Sequence, residues 1–408
     1  KGLVTLDHMS QPCPSLLSRA EAAVLAAVAA VALCGCSSQP DKEPPSITRI
    51  IHQQFRTQDA SEWPPEWRSL SSLWKLHHPT WRWRFWTDAD EAILFKDHLP
   101  EFEALYHSIP NCLGASISQA DLSTYAILYV HGGVYADMDT APLMALDDLL
   151  SSVVRVSGRH VVVVVNIERP DDGLLEVRGS GGLAEPYATD TDLMMSTAPG
   201  HPFFYETLAS IQRYMEKHNK TVCGRNRSTP TYDLMFLTAW GRLSMASRAW
   251  SAAGMNATSL QLLESLFLRD PVDASFVHLV LHELANLSLE VIQSHPPPKS
   301  ELRFERWLER MSRLQEQSPP RYATLPLPGD VVLQVLQQAP DLLIIPVAVS
   351  PSTPKPALRK LYLRCQGDAM CFGRNLSALV EQELPGRNPR HNMLLVCNED
   401  DGIWEGSW

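Results

Sequence analysis

Residues 119–140 read QADLSTYAILYVHGGVYADMDT, and few architectures accommodate that order of letters. The apolar positions from Ser118 to Val130 fit a helix, two glycines stop it, and Val134-Tyr135-Ala136 follows as a short buried strand. Asp137 and Asp139 then fall where the strand ends. In an open α/β sheet, ligands collect at the carboxyl ends of strands. Side chains at i and i+2 share one face of an ideal strand, but a turn just after it changes their directions and lets two carboxylates converge on a hard cation. Carboxylates together with substrate phosphate oxygens are the usual ligands of Mg²⁺ or Mn²⁺.

The spacing alone carries little. Asp-x-Asp occurs three times, at Asp88/Asp90, Asp137/Asp139 and Asp190/Asp192. Asp88-Ala89-Asp90 follows Phe85-Trp86-Thr87 and reads as a strand-end turn entering a helix, with one aspartate as its N-cap. Asp190-Thr191-Asp192 follows GSGGLAEPYAT and reads as loop, with a strand only from Asp192 to Ser196. Only the middle pair has helix, Gly-Gly and strand in front of it.

Along the chain, elements of the two kinds alternate. Strands are expected at Ile47–Phe55, Trp81–Trp86 and Val161–Val165, the last a β-branched run suited to burial on both faces. Helices are expected at Trp63–His77, Ala89–Phe95, Glu101–Ser108, Ser118–Val130 and His201–His218. Residues 246–320 read as largely helical, and Val331–Gln338 and Leu342–Val349 as strands returning to the sheet. Such alternation predicts an α/β domain with a mostly parallel central sheet and added helices.

The 408 residues suffice for one large domain or two modest ones. A net charge of −11 without a Lys/Arg-rich block argues against nucleic-acid binding. Residues 1–45 read as a tail, an apolar segment and a Pro-rich stalk, and 46–408 as the main domain. Within it, 46–245 carries the alternating elements, and 246–408 is a second region that ends in a C-terminal loop. Ala22 to Cys36 is an uncharged run, short for a membrane span. It reads as a signal anchor, with a cleaved signal peptide, an Ala-rich helix or a lipid-bearing Cys36 as alternatives. Sequons at Asn219, Asn226, Asn256, Asn286 and Asn375 favour a secretory lumen, and with the anchor reading the expectation is a single-pass protein of the Golgi or another secretory-pathway membrane. Of eight cysteines, Cys365 and Cys371 are close enough in sequence for a local bridge, and no Cys/His set has zinc spacing.

The run ADLSTYAILYVHGGVYADMDT resembles the DXD-containing sugar-binding region of glycosyltransferase family 32. That family includes initiating α-mannosyltransferases and mannosyltransferases acting on inositol phosphoceramide. More distantly it resembles α1,4-galactosyltransferases and the glucosyltransferase domains of clostridial toxins. Further segments are similar to the family's in the same order: RIIHQQF (Arg49 to Phe55), Phe85-Trp86-Thr87-Asp88, STAPGHPFF (Ser196 to Phe204), DLMFLTAWG (Asp233 to Gly241) and the final GIWEGSW. The resemblance implies a GT-A-like nucleotide-sugar-binding fold and metal-dependent transfer with retention of anomeric configuration. The implied cofactor is Mn²⁺ or Mg²⁺, and the implied partners are a nucleotide sugar and a glycan or glycolipid acceptor.

The resemblance also assigns roles. Asp139 is the direct metal ligand, and Asp137 contacts donor and metal. Asp121 orients sugar hydroxyls, and Asp192 faces the sugar. Phe55 stands where relatives carry a base-stacking Trp, with His52 beside it. Ser407 and Trp408 match a loop that closes on the leaving phosphate. Relatives carry Arg three positions after the aspartate at 121, where this chain has Thr124, which cannot form a charged bidentate contact. Mannose from GDP-mannose is the expected donor chemistry. The alternatives are a UDP-sugar transferase for galactose, glucose or N-acetylglucosamine, and a lapsed transferase that only binds. A metal-dependent phosphoesterase would need further carboxylate or His ligands than the pair supplies.

Overall fold

A computed structural model of the protein describes residues 46–113, 117–142, 145–168, 189–222, 238–267, 322–327, 331–348, 360–361, 363–366 and 368–383, with short pieces at 294–295, 306–307 and 310. The chain divides into Lys1–Pro44 and Pro45–Trp408, and every described residue belongs to the second unit. The apolar segment at 22–36, Ser407, Trp408, the first part of Asp233–Gly241 and much of 246–320 lie outside the described residues.

Strand β1 (Ile50–Gln54) leads to helix α1 (Pro65–His77) and β2 (Arg82–Trp86). Helices α2 (Asp88–His98), α3 (Pro100–Leu113) and α4 (Ile117–His131) come next, then β3 (Gly133–Ala136), α5 (Asp147–Ser157), β4 (Val162–Glu168) and β5 (Thr189–Ser196). Helix α6 (Pro202–Val222) precedes α7 (Trp240–Ala249), the two-residue strands β6 (Trp250–Ser251) and β7 (Gly254–Met255), and α8 (Ala257–Phe267). The chain then gives β8 (Tyr322–Leu327), β9 (Val331–Ala339), β10 (Leu342–Ala348) and α9 (Ala369–Glu383).

Eight strands form one sheet in the order β2-β1-β3-β5-β4-β10-β9-β8. Strand β1 is parallel to β2 and β3, and β10 is parallel to β4, whereas β5 and β9 are antiparallel to both of their neighbours. Six strands therefore point one way and two the other. The sheet thus has most of its strands in one direction, in an α/β arrangement. Residues 331–348 do return to the sheet, and β8 joins them at its edge.

The period of two explains how the sheet is buried. Val162 and Val164 pack into one apolar cluster with Tyr135, Met194, Leu342 and Ile344. Val161, Val163 and Val165 pack into another with Val134, Ala136, Leu193 and Met195. Alternate side chains enter opposite cores, so the central strands are hydrophobic throughout. Each fully buried valine contributes about 1.5–3 kcal/mol.

Local chemistry sets the element ends. Pro65 opens α1, where its missing N–H costs no helix bond. Thr87 caps α2: its hydroxyl accepts from Asp90 N, and Asp90 Oδ2 accepts from Thr87 N at 3.0 Å. This corrects the expectation that an aspartate would be the cap. The threonine holds that position and Asp90 closes a capping box from the third turn residue. The expected loop at Asp190-Thr191-Asp192 is also corrected. Thr189 and Asp190 pair with Asn166 and Val165 of β4, across a register shift that lets β5 start three residues earlier than its apolar pattern indicates.

Candidate functional site: the strand-end aspartate turn

Helix α4 runs back against β3, so its first turns reach the level where β3 ends. The ten steps from Asp121 to His131 rise about 15 Å, and the four residues of β3 span about 13 Å. Between them the chain reverses at two glycines. Gly132 has φ +63° and Gly133 φ +89°. A Cβ on Gly133 would lie 2.4 Å from the Ile50 carbonyl oxygen, and one on Gly132 would lie 2.7 Å from Ala198 C. Only glycine fits both the left-handed backbone and the close approach to β1.

His52 holds that reversal. It is fully buried, its Nδ1 is 3.1 Å from the Trp86 indole nitrogen, and its Nε2 is 2.9 Å from the Gly132 carbonyl. An indole N–H can only donate, so Nδ1 accepts and Nε2–H donates to the carbonyl. Burial holds the ring's pKa down to about 3, so it stays neutral. Both ring nitrogens are engaged with protein groups. His131, at the end of α4, is likewise pushed down to about 4, first by burial and then by the Arg84 guanidinium.

Asp137 follows the strand directly, and Met138-Asp139 form the turn. The Asp137 amide donates to Asp192 O at 2.9 Å, which ties the turn to β5. Its carbonyl accepts from Thr140 N at 3.2 Å, Thr140 Oγ1 at 2.6 Å and Gln53 Nε2 at 3.3 Å. Gln53 is itself fixed, because its Oε1 accepts from Ser71 at 2.6 Å and Trp83 at 3.0 Å. Trp74 donates to Thr140 O at 2.9 Å. Met138 is buried in an apolar cluster with Phe55, Trp67 and Phe372, and the aspartates on either side of it are partly exposed. The backbone of the turn is thus locked, and Asp137 and Asp139 are both partly exposed.

Tyr135, fully buried one strand position before the turn, donates its hydroxyl to the Asp137 carboxylate. Burial, and then the adjacent Asp137 charge, push the phenol's pKa well above its usual range, which keeps it a donor. Thr124 is also within hydrogen-bond reach of that hydroxyl. Thr124 is 2% exposed, donates to Ala120 O at 3.0 Å and accepts from Gln54 Nε2 at 3.4 Å. The position where relatives carry Arg is therefore a filled polar niche. Asp121, one turn earlier on α4, accepts from Thr238 Oγ1 at 2.7 Å.

The structure thus brings Asp192 against Asp137 and sets Asp121 at the same end of the sheet. Phe55 is 3% exposed and packs edge-on against Trp67. Its residue also lines a cleft with Gln54, Arg56, Asp88, Glu91 and Gln119. Sequence reasoning missed Gln53, Gln54, Tyr135 and Glu91. Gln53 and Gln54 lie inside the motif Arg49–Phe55, and Tyr135 inside the motif around Asp137, so the signal was present but unassigned. Glu91, buried in α2, accepts from Ser123 at 2.7 Å. Burial pushes its pKa up to about 8.

Comparison with known proteins fits this geometry. Residues 64–154 match the model of the glycosyltransferase sugar-binding region containing the DXD motif. The chain is 26% identical over 250 residues to inositol phosphoceramide mannosyltransferase 3 of Schizosaccharomyces pombe, covering 59% of this chain and 60% of that protein. It is 31% identical over 122 residues to inositol phosphoceramide mannosyltransferase 2 of the same yeast, covering 30% and 33%. It is 25% identical over 185 residues to the initiation-specific alpha-1,6-mannosyltransferase of Candida albicans, covering 41% and 44%. The chain thus spans 60% or less of the length of each of these three relatives. The solved PaToxG glycosyltransferase aligns with 67% of this chain at 12% identity and a TM-score of 0.33. Over residues 64–154 the chain is similar to the DXD-containing glycosyltransferase sugar-binding region, and by motif and by sequence it resembles glycosyltransferase family 32.

Proposed function

We propose that this chain is a metal-dependent retaining glycosyltransferase that moves mannose from GDP-mannose to a glycan or glycolipid acceptor. The observation that carries the reading is the turn at Asp137–Asp139, locked by Gln53, Thr140 and Asp192 and presenting two partly exposed carboxylates at a strand end. The mannosyltransferase relatives point to the sugar.

The residues fit Mn²⁺ or Mg²⁺. Among the described residues no group of three or more His, Cys, Asp or Glu could enclose a metal on its own. Two partly exposed carboxylates instead suit a cation shared with a bound diphosphate. Asp139 and Asp137 would hold it, and when bound it would neutralise charge on the departing diphosphate. Tyr135 keeps the Asp137 carboxylate in one orientation. Asp121 and Asp192 orient the sugar hydroxyls, Phe55 forms a wall for the base, and Ser407 and Trp408 close over the phosphates. The acceptor hydroxyl oxygen bonds to the anomeric carbon as the bond to the diphosphate breaks, and the proton passes to the leaving phosphate oxygen. Front-face attack of this kind requires no enzymatic nucleophile. Residues beyond 245 form the acceptor side. Residues 22–36 anchor the chain in a secretory-pathway membrane with the catalytic domain in the lumen; among the described residues no helix is long and apolar enough to cross a membrane.

The test is Mn²⁺-dependent hydrolysis measured across a panel of nucleotide sugars, which needs no knowledge of the acceptor. GDP-mannose should release mannose fastest. Release only from UDP-sugars would shift the reading to a galactosyl-, glucosyl- or N-acetylglucosaminyltransferase. No release from any donor, with binding retained, would make the protein a lapsed transferase.

A further inference from the structure

Two sequon asparagines have described side chains, Asn256 and Asn375, and the fold uses them in opposite ways. Asn256 follows β7 and caps α8. Its Oδ1 accepts from Ser259 N at 3.0 Å, its carbonyl accepts from Leu260 N at 3.0 Å, and its amide donates to Ala249 O at 2.8 Å. All three sequon residues, Asn256, Ala257 and Thr258, are exposed. The cap uses the side-chain oxygen, so a sugar on Nδ2 would leave it intact. Asn375 lies within α9 and is only partly exposed. Its Nδ2 donates to Cys371 O at 2.7 Å and lies 3.5 Å from Cys371 Sγ and 3.8 Å from Cys365 Sγ. Those two sulfurs form a disulfide across six positions, a loop short enough to close locally. The nitrogen that would carry a sugar therefore faces the bridge. Acceptor asparagines of this motif belong on surface loops, which describes the first position and not the second.

We propose that Asn256 carries an N-linked glycan and that the Cys365–Cys371 bridge withholds Asn375 from the same modification. The inference rests on the lumenal placement proposed above. The co-reactant is an oligosaccharide on a lipid diphosphate, delivered by the cell's transferring enzyme. Asn256 Nδ2 bonds to the anomeric carbon as that carbon's bond to the diphosphate oxygen breaks. The lipid diphosphate leaves, and the amide gives one proton to a base of that enzyme. The position also keeps the glycan away from the aspartate turn. Thr238, just before α7, donates to Asp121, whereas Ala249, the last residue of α7, accepts from Asn256. The ten residues of α7 rise about 15 Å between those contacts. Trp250, next in the chain, donates to Asp341 Oδ1 at 3.0 Å, immediately before β10 begins. Asn256 thus belongs to the amino end of the parallel strands and Asp137 to their carboxyl end, so a glycan there leaves the donor face open.

The experiment is expression of the full chain in cultured eukaryotic cells, followed by peptide mass spectrometry of each sequon after enzymatic glycan release, which turns an occupied asparagine into aspartate. Occupancy is read on total cell protein, so the measurement does not depend on a variant folding. In the wild type Asn256 should be mostly occupied and Asn375 mostly empty. Thr258→Ala removes the sequon but keeps the cap, and it should lose one glycan. Cys365→Ser removes the bridge, and Asn375 should then become occupied. An empty Asn256 beside glycans at other sequons would overturn the inference while the lumenal placement survives. A filled Asn375 in the wild type, or one still empty in Cys365→Ser, would overturn the role given to the bridge. No glycan at any sequon would overturn the inference and the lumenal placement together.

Discussion

The turn at Asp137–Asp139 and the helix start at Asp88–Asp90 share one letter pattern and end in opposite states. At the helix start, the Asp90 carboxylate is consumed locally, accepting from both the amide and the hydroxyl of Thr87. After β3, the turn's backbone is satisfied by others, through Gln53, Thr140 and Asp192. The carboxylates there do not cap the turn's own backbone; that of Asp137 accepts from the Tyr135 hydroxyl instead. A pair of acids acquires a ligand role when the scaffold takes over its backbone and leaves its charge outward. It becomes a structural cap when its own charge must satisfy the backbone.

Four changes would break or sharpen that contrast, the largest first. Asp139→Asn should abolish Mn²⁺-dependent donor hydrolysis with the thermal midpoint nearly unchanged, because the site lies at a strand end outside both cores. Full activity in that variant would erase the distinction. Tyr135→Phe removes the hydroxyl that orients Asp137. Losing one hydrogen bond to a charged group, about 1.5–3 kcal/mol, should lower kcat/KM by roughly ten- to a hundredfold, and an unchanged value would show that Asp137 orients itself. Thr124→Arg should weaken rather than improve donor binding, since the niche is already filled by Gln54, Ala120 and Tyr135 and overpacking costs about 1–3 kcal/mol. Tighter donor binding by titration would show a missing family contact instead. Asp90→Asn should cost about 1 kcal/mol of stability through the weakened capping box and leave hydrolysis unchanged.

A pH series separates the two regions by another route. Glu91, on the helix that Asp90 helps cap, has its pKa raised from 4.5 to about 8. Between those values the folded state holds a proton that the unfolded state has lost. Stability from this group is therefore full below about pH 4.5 and declines as pH rises towards 8. His52, beneath the Gly-Gly reversal, is lowered from 6.5 to about 3. There the unfolded state binds the extra proton, so stability declines as pH falls from 6.5 towards 3. Denaturation midpoints against pH should show both flanks, and Glu91→Gln should flatten the alkaline one alone. A flank that persists in the variant would place the titrating group elsewhere.

How far the letters reached can be judged from these same residues. The helix, the two glycines, β3 and the aspartates after it were legible because each signal is local: a period, a stop and a strand end. The early start of β5 was not, because Asp190 is a poor strand former and breaks the apolar pattern, and the segment is held here by pairing with β4, some 25 residues away in sequence. Thr87 lost the cap assignment to its aspartate neighbours because both residue types cap well and only the hydrogen bonds decide. Gln53 and Gln54 stood in a recognised motif, yet their partners Ser71, Trp83, Asp137 and Ala120 come from four other parts of the chain. The role of the closing Ser407 and Trp408 lies outside the described residues.

Helix α9 carries a consequence for how this protein can be cut or recombined. Cys365 and Cys371 are bridged ahead of and within its start, and Gly373 lets it sit so close to α1 that a Cβ there would lie 2.6 Å from Leu73 Cδ2. Phe372 and Leu376 share one apolar cluster with Met138, the residue between the two aspartates. Residues 64–154 therefore make a recognisable signature but not a transplantable module. Moved into another chain, they would leave behind β1, β5 and this late helix, and Met138 would lose the floor that keeps its two neighbours facing out.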